Sequence, residues 1–348
     1  MAAWFDRLVT GLKARKRPAK VWAAGDGQLL VSPAGARLLA CEMPGVDGNL
    51  FWHDPAMEDE AGSDAIAGGD RVWIAPEVGF IFNPLDAARV DPIANSHTPK
   101  AMDPGQWHVL TDERGRTALQ ADMLLTDHRL DARIGLRVTR EFFAIDRPAG
   151  VPAALRCSSF GIRNTLQRRD ADRGTVAGAW DLLQLPPTGT LICPTTVDVG
   201  EPTSYYEPFG DHHVHVADDC VRFLIDGKHR IKMGLLAEHT TGRMGYYRRV
   251  GDVSTLIFRV FAPQPGRAYV DVPRDRDATF GGDALQAYND DGTFGGFGEM
   301  EYHDPALVTA SSTASMSGAC VTHVLVGDDD TVRAAGAALL GVAVEPLD

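Results

Sequence analysis

Short runs of alternating apolar and polar residues, cut off again and again by 21 prolines and 36 glycines, constrain this chain more than anything else in it. Punctuation that frequent leaves little room for long helices. In Ala132-Arg-Ile-Gly-Leu-Arg-Val-Thr-Arg140, the side chains of Ile134, Leu136 and Val138 share one face, opposite Arg133 and Arg137. Val221, Phe223 and Ile225 alternate with Arg222, Leu224 and Asp226. Asp226-Gly227 then reads as a hairpin turn into His229-Arg-Ile-Lys-Met-Gly-Leu-Leu236. Thr255–Phe261 and Val321–Val326 read as further strands. A half-buried sheet must cover its apolar face with a second layer, so the expected fold is all-β, a large antiparallel β-sandwich. No low-complexity linker interrupts it, so 21–348 is expected to form one domain.

Two helices are expected. Residues 1–20 are apolar first (Trp4, Phe5, Leu8, Leu12) and basic second (Lys13, Arg15, Lys16, Arg17, Lys20). A secretory signal has the reverse order, so this stretch predicts an amphipathic helix packed on the sandwich. The second helix is predicted over Asp330–Val342, capped by the Asp328-Asp329-Asp330-Thr331 run. Asp54–Gly69, acidic and rich in small residues, reads as a loop.

A formal charge of −13 argues against a nucleic-acid partner, because that affinity rests on Lys and Arg neutralising phosphates. An anionic ligand would need its cations concentrated locally. No apolar run is long enough to cross a bilayer. The five cysteines (Cys41, Cys157, Cys193, Cys220, Cys320) are odd in number and form no C-x-x-C pair, which predicts buried free thiols and a cytoplasmic location. No Walker motif, G-x-G-x-x-G after a strand, G-x-S-x-G or H-E-x-x-H is present, and no cofactor or resident metal is expected.

The segment richest in chemistry runs from Gln286 to Leu307, a glycine-rich turn feeding a strand that ends at Pro305. On that strand Phe297, Glu299, Glu301 and His303 project to one face, Met300 and Tyr302 to the other. An aromatic ring, two carboxylates and an imidazole on one face suit gripping a sugar and moving protons on it. The plainer reading buries Met300 and Tyr302 and leaves the acids in water. A second segment, Gly68-Gly-Asp-Arg-Val-Trp-Ile-Ala-Pro-Glu77, offers Asp70 and the planar donor fork of Arg71 for hydroxyls, Trp73 for stacking and Glu77 as a second carboxylate. Its plainer reading is a glycine turn with Arg71 and Glu77 as a structural ion pair. A third, Ala179-Trp-Asp-Leu-Leu-Gln184, puts Trp180, Leu182 and Gln184 on one face, where core packing competes with a ligand role. Lys232 and the following Glu238-His239, with Arg243, Arg248 and Arg249, form one end of a groove or an exposed turn. Asp211, His213 and His215 share a strand face that has metal-ligating chemistry, although such tight clusters are commonly solvated hairpins.

In the order of these parts, from about Val21 to Val326, the chain resembles the galactose-mutarotase-like β-sandwich superfamily, which includes the aldose 1-epimerases. The resemblance rests on an opening hairpin, the Gly-Gly-Asp-Arg segment, the Trp180-x-x-x-Gln184 strand and a late glutamate strand ending in proline. It implies that Glu301, with Glu299 second, matches the glutamate base, and that Arg71 matches the sugar-contacting arginine. The mid-chain Asn-His-x-Tyr-Phe-Asn signature is absent and Trp180-Asp-Leu-Leu-Gln184 stands in its place, so no histidine is carried over. The chain is therefore similar to divergent branches rather than to a standard aldose 1-epimerase.

Three functions follow as expectations, each with a mono- or oligosaccharide as partner. A sugar epimerase would use Glu301 as base and Glu77 or His239 as acid. Arg71, Asp70, Trp180, Gln184, Lys232, Glu299 and His303 would surround the sugar. A glycoside hydrolase would set Glu301 and Glu77 about 5–5.5 Å apart for retention or ~6.5–9.5 Å apart for inversion. A sugar-binding protein would use the same aromatic and cationic groups without proton transfer.

Overall fold

Alternation in the chain becomes two stacked antiparallel sheets in the computed structural model. The structure describes residues 2–17, 19–59, 68–82, 97–169, 175–206, 208–210, 212–274, 281–308 and 314–347. In chain order the strands begin with β1 (Lys20–Ala24), β2 (Gly27–Ser32), β3 (Arg37–Glu42), β4 (Asp70–Ala75), β5 (His108–Glu113), β6 (Arg116–Asp127) and β7 (Ala132–Ala144). They continue with β8 (Arg156–Arg168), β9 (Gly178–Leu185), β10 (Gly189–Pro194), β11 (Thr203–Ser204), β12 (Val214–Val216) and β13 (Cys220–Ile225). The last are β14 (Ile231–Leu235), β15 (Arg243–Val250), β16 (Val253–Phe261), β17 (Leu285–Asn289), β18 (Gly298–His303) and β19 (Ser315–Gly327). Among the described residues one sheet has nine strands in the order β1-β2-β3-β4-β9-β18-β17-β14-β11, and the other ten, β12-β13-β10-β15-β16-β19-β8-β7-β6-β5.

The facing sides of the sheets make the core. Leu183, Leu185, Met233, Leu285, Ala287, Met300 and Tyr302 from the nine-stranded sheet meet Phe142, Phe160, Ile162, Leu191, Phe223, Ile257 and Val324 from the other. Met300 and Tyr302 are buried, as the alternation on β18 requires. Burial at roughly 25 cal/mol per Å² of apolar surface is the main drive for stacking the sheets.

One buried polar cluster interrupts this apolar layer. Asp70 on β4 and Asp181 on β9 face Arg140 on β7 and Arg259 on β16, all fully buried. Arg140 and Arg259 both pair with Asp70, and they reach Asp181 at 3.1 and 2.9 Å. Asn164 on β8 donates to Asp181 at 2.9 Å.

The helices pack outside the sandwich. Helix Ala3–Ala14 buries Trp4, Phe5, Leu8 and Leu12 against Leu30, Leu39, Ala40 and Met57. Its polar side is tied to the Pro55–Glu58 turn: Arg7 Nε donates to Glu58 at 2.8 Å and Arg15 Nη1 to the Ala56 carbonyl at 3.1 Å. That turn occupies part of the expected Asp54–Gly69 loop, whose residues 60–67 lie outside the described residues. The C-terminal helix spans Asp329–Leu340, with the Asp328 side chain accepting from the Thr331 amide. It ends before the expected Val342 because Gly341 takes a left-handed φ of 84°. All five cysteines are buried and free.

The hairpin expected at Asp226-Gly227 does not form. Strand β13 pairs with β10 and β12 in the ten-stranded sheet, whereas β14 pairs with β17 and β11 in the other. The segment crosses between layers, and Asn289 fixes it by donating to Asp226 at 2.6 Å and to the His229 carbonyl at 2.8 Å.

Candidate functional site

Antiparallel register places the chemistry of four distant segments on one outer face of the nine-stranded sheet. Trp73, Trp180 and His303 are successive cross-strand partners on β4, β9 and β18. The next row runs Arg71, Leu182, Glu301, Gln286, and the one after it Gln184, Glu299, Tyr288, Lys232. Opposed side chains on one sheet face lie within contact distance, so this register is what assembles the site.

Above the rows lies a cavity of about 310 Å³. Arg71, Trp73, Trp180, Gln184, Glu299, Tyr288 and Lys232 form its floor. Arg37, Trp52, Glu77, Phe82, Thr98, Asp103, Tyr206, Arg230, Phe294 and Phe297 form its walls and rim. The glycine-rich turn before β18 builds the aromatic wall. Asp290 accepts from the amides of Gly292, Phe294 and Gly296 at 3.1, 3.0 and 2.8 Å, which holds the turn in shape. Gly295, at φ 128°, lies so close to Trp52 that a Cβ there would come within 2.5 Å of its ring. Trp52 then stacks beside Phe297 with centroids 4.6 Å apart.

The floor's charges interlock. Arg71 lies over the Trp73 ring at 4.1 Å and donates to Glu299 at 2.8 Å. Its partner is therefore Glu299, and the structural ion pair with Glu77 is not formed. Trp73 Nε1 donates to Asp103 at 2.9 Å, and Asp103 also pairs with Arg37. Lys232 Nζ sits 3.3 Å from Glu301 and 3.9 Å from Glu77, over the Trp180 ring at 4.3 Å. Trp180 Nε1 donates to the same Glu301 oxygen at 2.7 Å, while the other Glu301 oxygen is buried without a partner. The Glu77 amide donates to Asp271 at 2.7 Å, which fixes the backbone that presents the carboxylate.

Burial sets the proton affinities. It pushes Glu301 up to about 8 against the downward pull of Lys232, with Glu299 adding to the rise. Burial likewise raises Glu77, again opposed by Lys232. Burial pulls the Lys232 ammonium down, but Glu301 and Glu77 outweigh it and hold Lys232 above an ordinary lysine. The His303 imidazole stacks on Trp180 at 5.3 Å, and burial lowers it to about 3, so it is neutral at physiological pH.

Six of the expected site residues line one cavity: Glu77, Arg71, Trp180, Gln184, Lys232 and Glu299. Glu301 and His303 share their sheet face but are buried below the lining. The acids of β18 are thus out of water, unlike the plainer reading of that strand. Asp70 is a correction: on β4 it alternates with Arg71, and its carboxylate enters the inter-sheet cluster instead of the cavity. His239 is another. It lies in the turn after β14, where its amide bonds the Leu236 carbonyl, and it does not line the cavity. Arg243, Arg248 and Arg249 belong to β15 in the other sheet. Sequence reasoning missed Arg37, Trp52, Asp103, Tyr206 and Arg230, which reach the cavity only through tertiary packing.

Of the expected Asp211, His213 and His215 set, Asp211 lies outside the described residues and His215 is exposed. His213 instead meets Asp226 at 3.3 Å and His229 at 3.0 Å, and His229 meets Asp226 at 2.6 Å. Two imidazoles and a carboxylate with ligand atoms inside 4.8 Å have the donor set of a divalent-metal site.

Residues 24–348 match the model of a family of unknown function, DUF6786. No curated protein sequence matches the chain. Among solved structures, the chain is similar to a putative aldose 1-epimerase from Escherichia coli K12, with a TM-score of 0.50 and 10% identity over 88% of this chain and 98% of that one. A galactose mutarotase-like protein from Lactobacillus casei ATCC 334 matches with a TM-score of 0.48 and 10% identity, over 88% and 99% of the two chains. A galactose 1-epimerase from Lactobacillus acidophilus NCFM matches with a TM-score of 0.42 and 8% identity, over 87% and 92%.

Proposed function

The chain belongs to the DUF6786 family and has a galactose-mutarotase-like fold, and on that footing we propose that it interconverts the anomers of a sugar held in the aromatic cavity. The observation that carries this reading is the Lys232 ammonium held between Glu77 and Glu301 at the cavity floor. A cavity of about 310 Å³ lies at the small end of ligand sites. Trp52 and Phe297 offer the apolar face of a sugar a wall, and Arg71, Gln184 and Glu299 offer hydroxyls donors and acceptors.

Anomer exchange moves two protons. Glu77, which faces the cavity and whose proton affinity burial raises, takes the proton of the anomeric hydroxyl. The freed electron pair makes the carbonyl, and the ring C–O bond breaks with its electrons on the ring oxygen. Lys232 hands that oxygen a proton. Re-closure on the other carbonyl face reverses both transfers. Glu301, out of reach of a sugar in the cavity, is a positioning residue that anchors and charges Lys232. The base role expected for Glu301 thereby passes to Glu77.

Proton NMR saturation transfer between anomers of a sugar panel tests this. The protein is expected to accelerate exchange for at least one sugar. Glu77→Gln should slow it by about 10²- to 10⁴-fold without abolishing binding. Glu301→Gln should slow it while shifting the pH profile, because it alters the charge on Lys232. New reducing ends would replace this reading with glycan cleavage, and binding without exchange would make the protein a sugar receptor.

A further inference from the structure

A second hollow, of about 1,050 Å³, adjoins the cavity and shares Tyr206 and Arg230 with it. Its charge balance differs from that of the floor. Arg37, Arg71 and Lys232 each have a carboxylate within ion-pairing distance. Arg230 and Arg274, which both line the hollow, have none among the described residues. Arg230 rests on aromatic rings instead, at 5.3 Å from Tyr206 and 5.7 Å from Phe294, and Arg274 lies 3.6 Å over Phe82. Stacking of this kind occupies the face of a guanidinium and leaves its edge donors free. The Nε of Arg230 and an Nη of Arg274 are buried with no hydrogen-bond acceptor. Lys228 adds a third cation, and Glu201 and Asp291 are the acids of the lining. Asp291 already accepts from the Thr293 amide.

Glu77 is the acid that acts most on Arg274, from beyond ion-pairing distance, while the neighbouring Arg230 repels it, and a neutral sugar gives neither guanidinium an anion to bind. In a chain of net charge −13, two guanidiniums that no carboxylate among the described residues contacts, collected beside a ligand cavity, stand out against the whole. We infer that Arg230 and Arg274 form a subsite for an anionic substituent, a carboxylate, sulfate or phosphate, on the sugar that occupies the cavity. This rests on the sugar reading above and narrows its substrate class. Charge-assisted bonds from two planar forks suit the oxygens of any of the three groups.

Titration calorimetry on the full chain, with a neutral hexose beside the corresponding hexuronate, hexose 6-sulfate and hexose 6-phosphate, tests the subsite. At least one anionic sugar is expected to bind about tenfold or more tightly than its neutral parent. That preference should shrink as ionic strength rises. Which anion wins identifies the substituent. In Arg274→Gln the ratio of neutral to anionic dissociation constants should fall about tenfold, and Arg274→Lys should restore part of it. Equal affinity for all four sugars overturns the subsite, as does a preference that survives in Arg274→Gln with an unchanged thermal melt. An Arg274-dependent preference without anomer exchange would keep the subsite and remove the epimerase reading. Glu77-dependent exchange of neutral sugars with no anionic preference would do the reverse.

Discussion

The nine-stranded sheet carries buried charge on both faces, and the two faces treat it differently. Toward the core, Asp70 and Asp181 meet Arg140 and Arg259, two acids against two bases, with Asn164 closing the group. Toward the cavity, from the alternate positions of the same strands, Arg71, Trp180 and Gln184 join Glu299, Lys232 and Glu77 in a set that leaves polar atoms over. The unpartnered atoms there include the Nε of Arg71 and one oxygen of Gln184. Burial alone therefore does not separate a structural charge from a functional one. What separates them is access: the inner cluster, although the Nε of Arg140 and the Oδ1 of Asn164 lack hydrogen-bond partners, is matched charge for charge and sealed between the sheets, whereas the outer one borders a cavity in which a ligand would complete its donors and acceptors.

Breaking the inner cluster should produce the largest effect on stability. Arg259→Leu leaves buried carboxylates short of a partner and is expected to lower unfolding free energy by about 3–5 kcal/mol, read from chemical denaturation. Arg71→Leu, whose partner Glu299 borders an open cavity, should lower it far less while reducing sugar affinity. Equal losses in the two variants would erase the distinction between the faces.

A smaller effect sharpens the comparison from its exception. Asp304 lies beside the inner cluster with one buried oxygen unpaired, and burial, helped by Asp181, raises it to about 8. The folded protein therefore holds this proton where the unfolded chain releases it. The group's contribution to stability is present below pH ~4 and is lost as pH rises towards 8. The melting-temperature advantage of Asp304→Asn over the parent should grow across that window and level off above it. A constant difference from pH 4 to 9 would mean that Asp304 is ionised throughout. Smallest of all, Trp52→Ala should weaken sugar binding by about tenfold or less with little change in fold stability, by calorimetry and thermal melting.

The strands and the face of β18 were legible because alternation is local, and a residue's neighbours two positions away already say which way it points. The same rule separates Asp70 from Arg71, since adjacent residues cannot share a face, and grouping both as sugar contacts overlooked it. The Asp226-Gly227 misreading has another origin. Turn chemistry reports that a chain bends, but not which sheet receives it, and here the receiving strand β17 is more than fifty residues downstream. Arg37, Asp103 and Arg230 reach the cavity through contacts between elements distant in sequence, so no pattern around any of them could have announced it.

The N-terminal helix touches nothing in the cavity, yet it is mechanically continuous with its wall. Its side chains grip the turn at Pro55–Glu58, Glu58 holds His53, and the next residue back is Trp52, pinned to Gln184 through its own amide at 2.9 Å. A version of the protein trimmed of its first helix for convenience of expression would therefore be a poor reagent for ligand screening. It would report a loosened pocket as a missing activity.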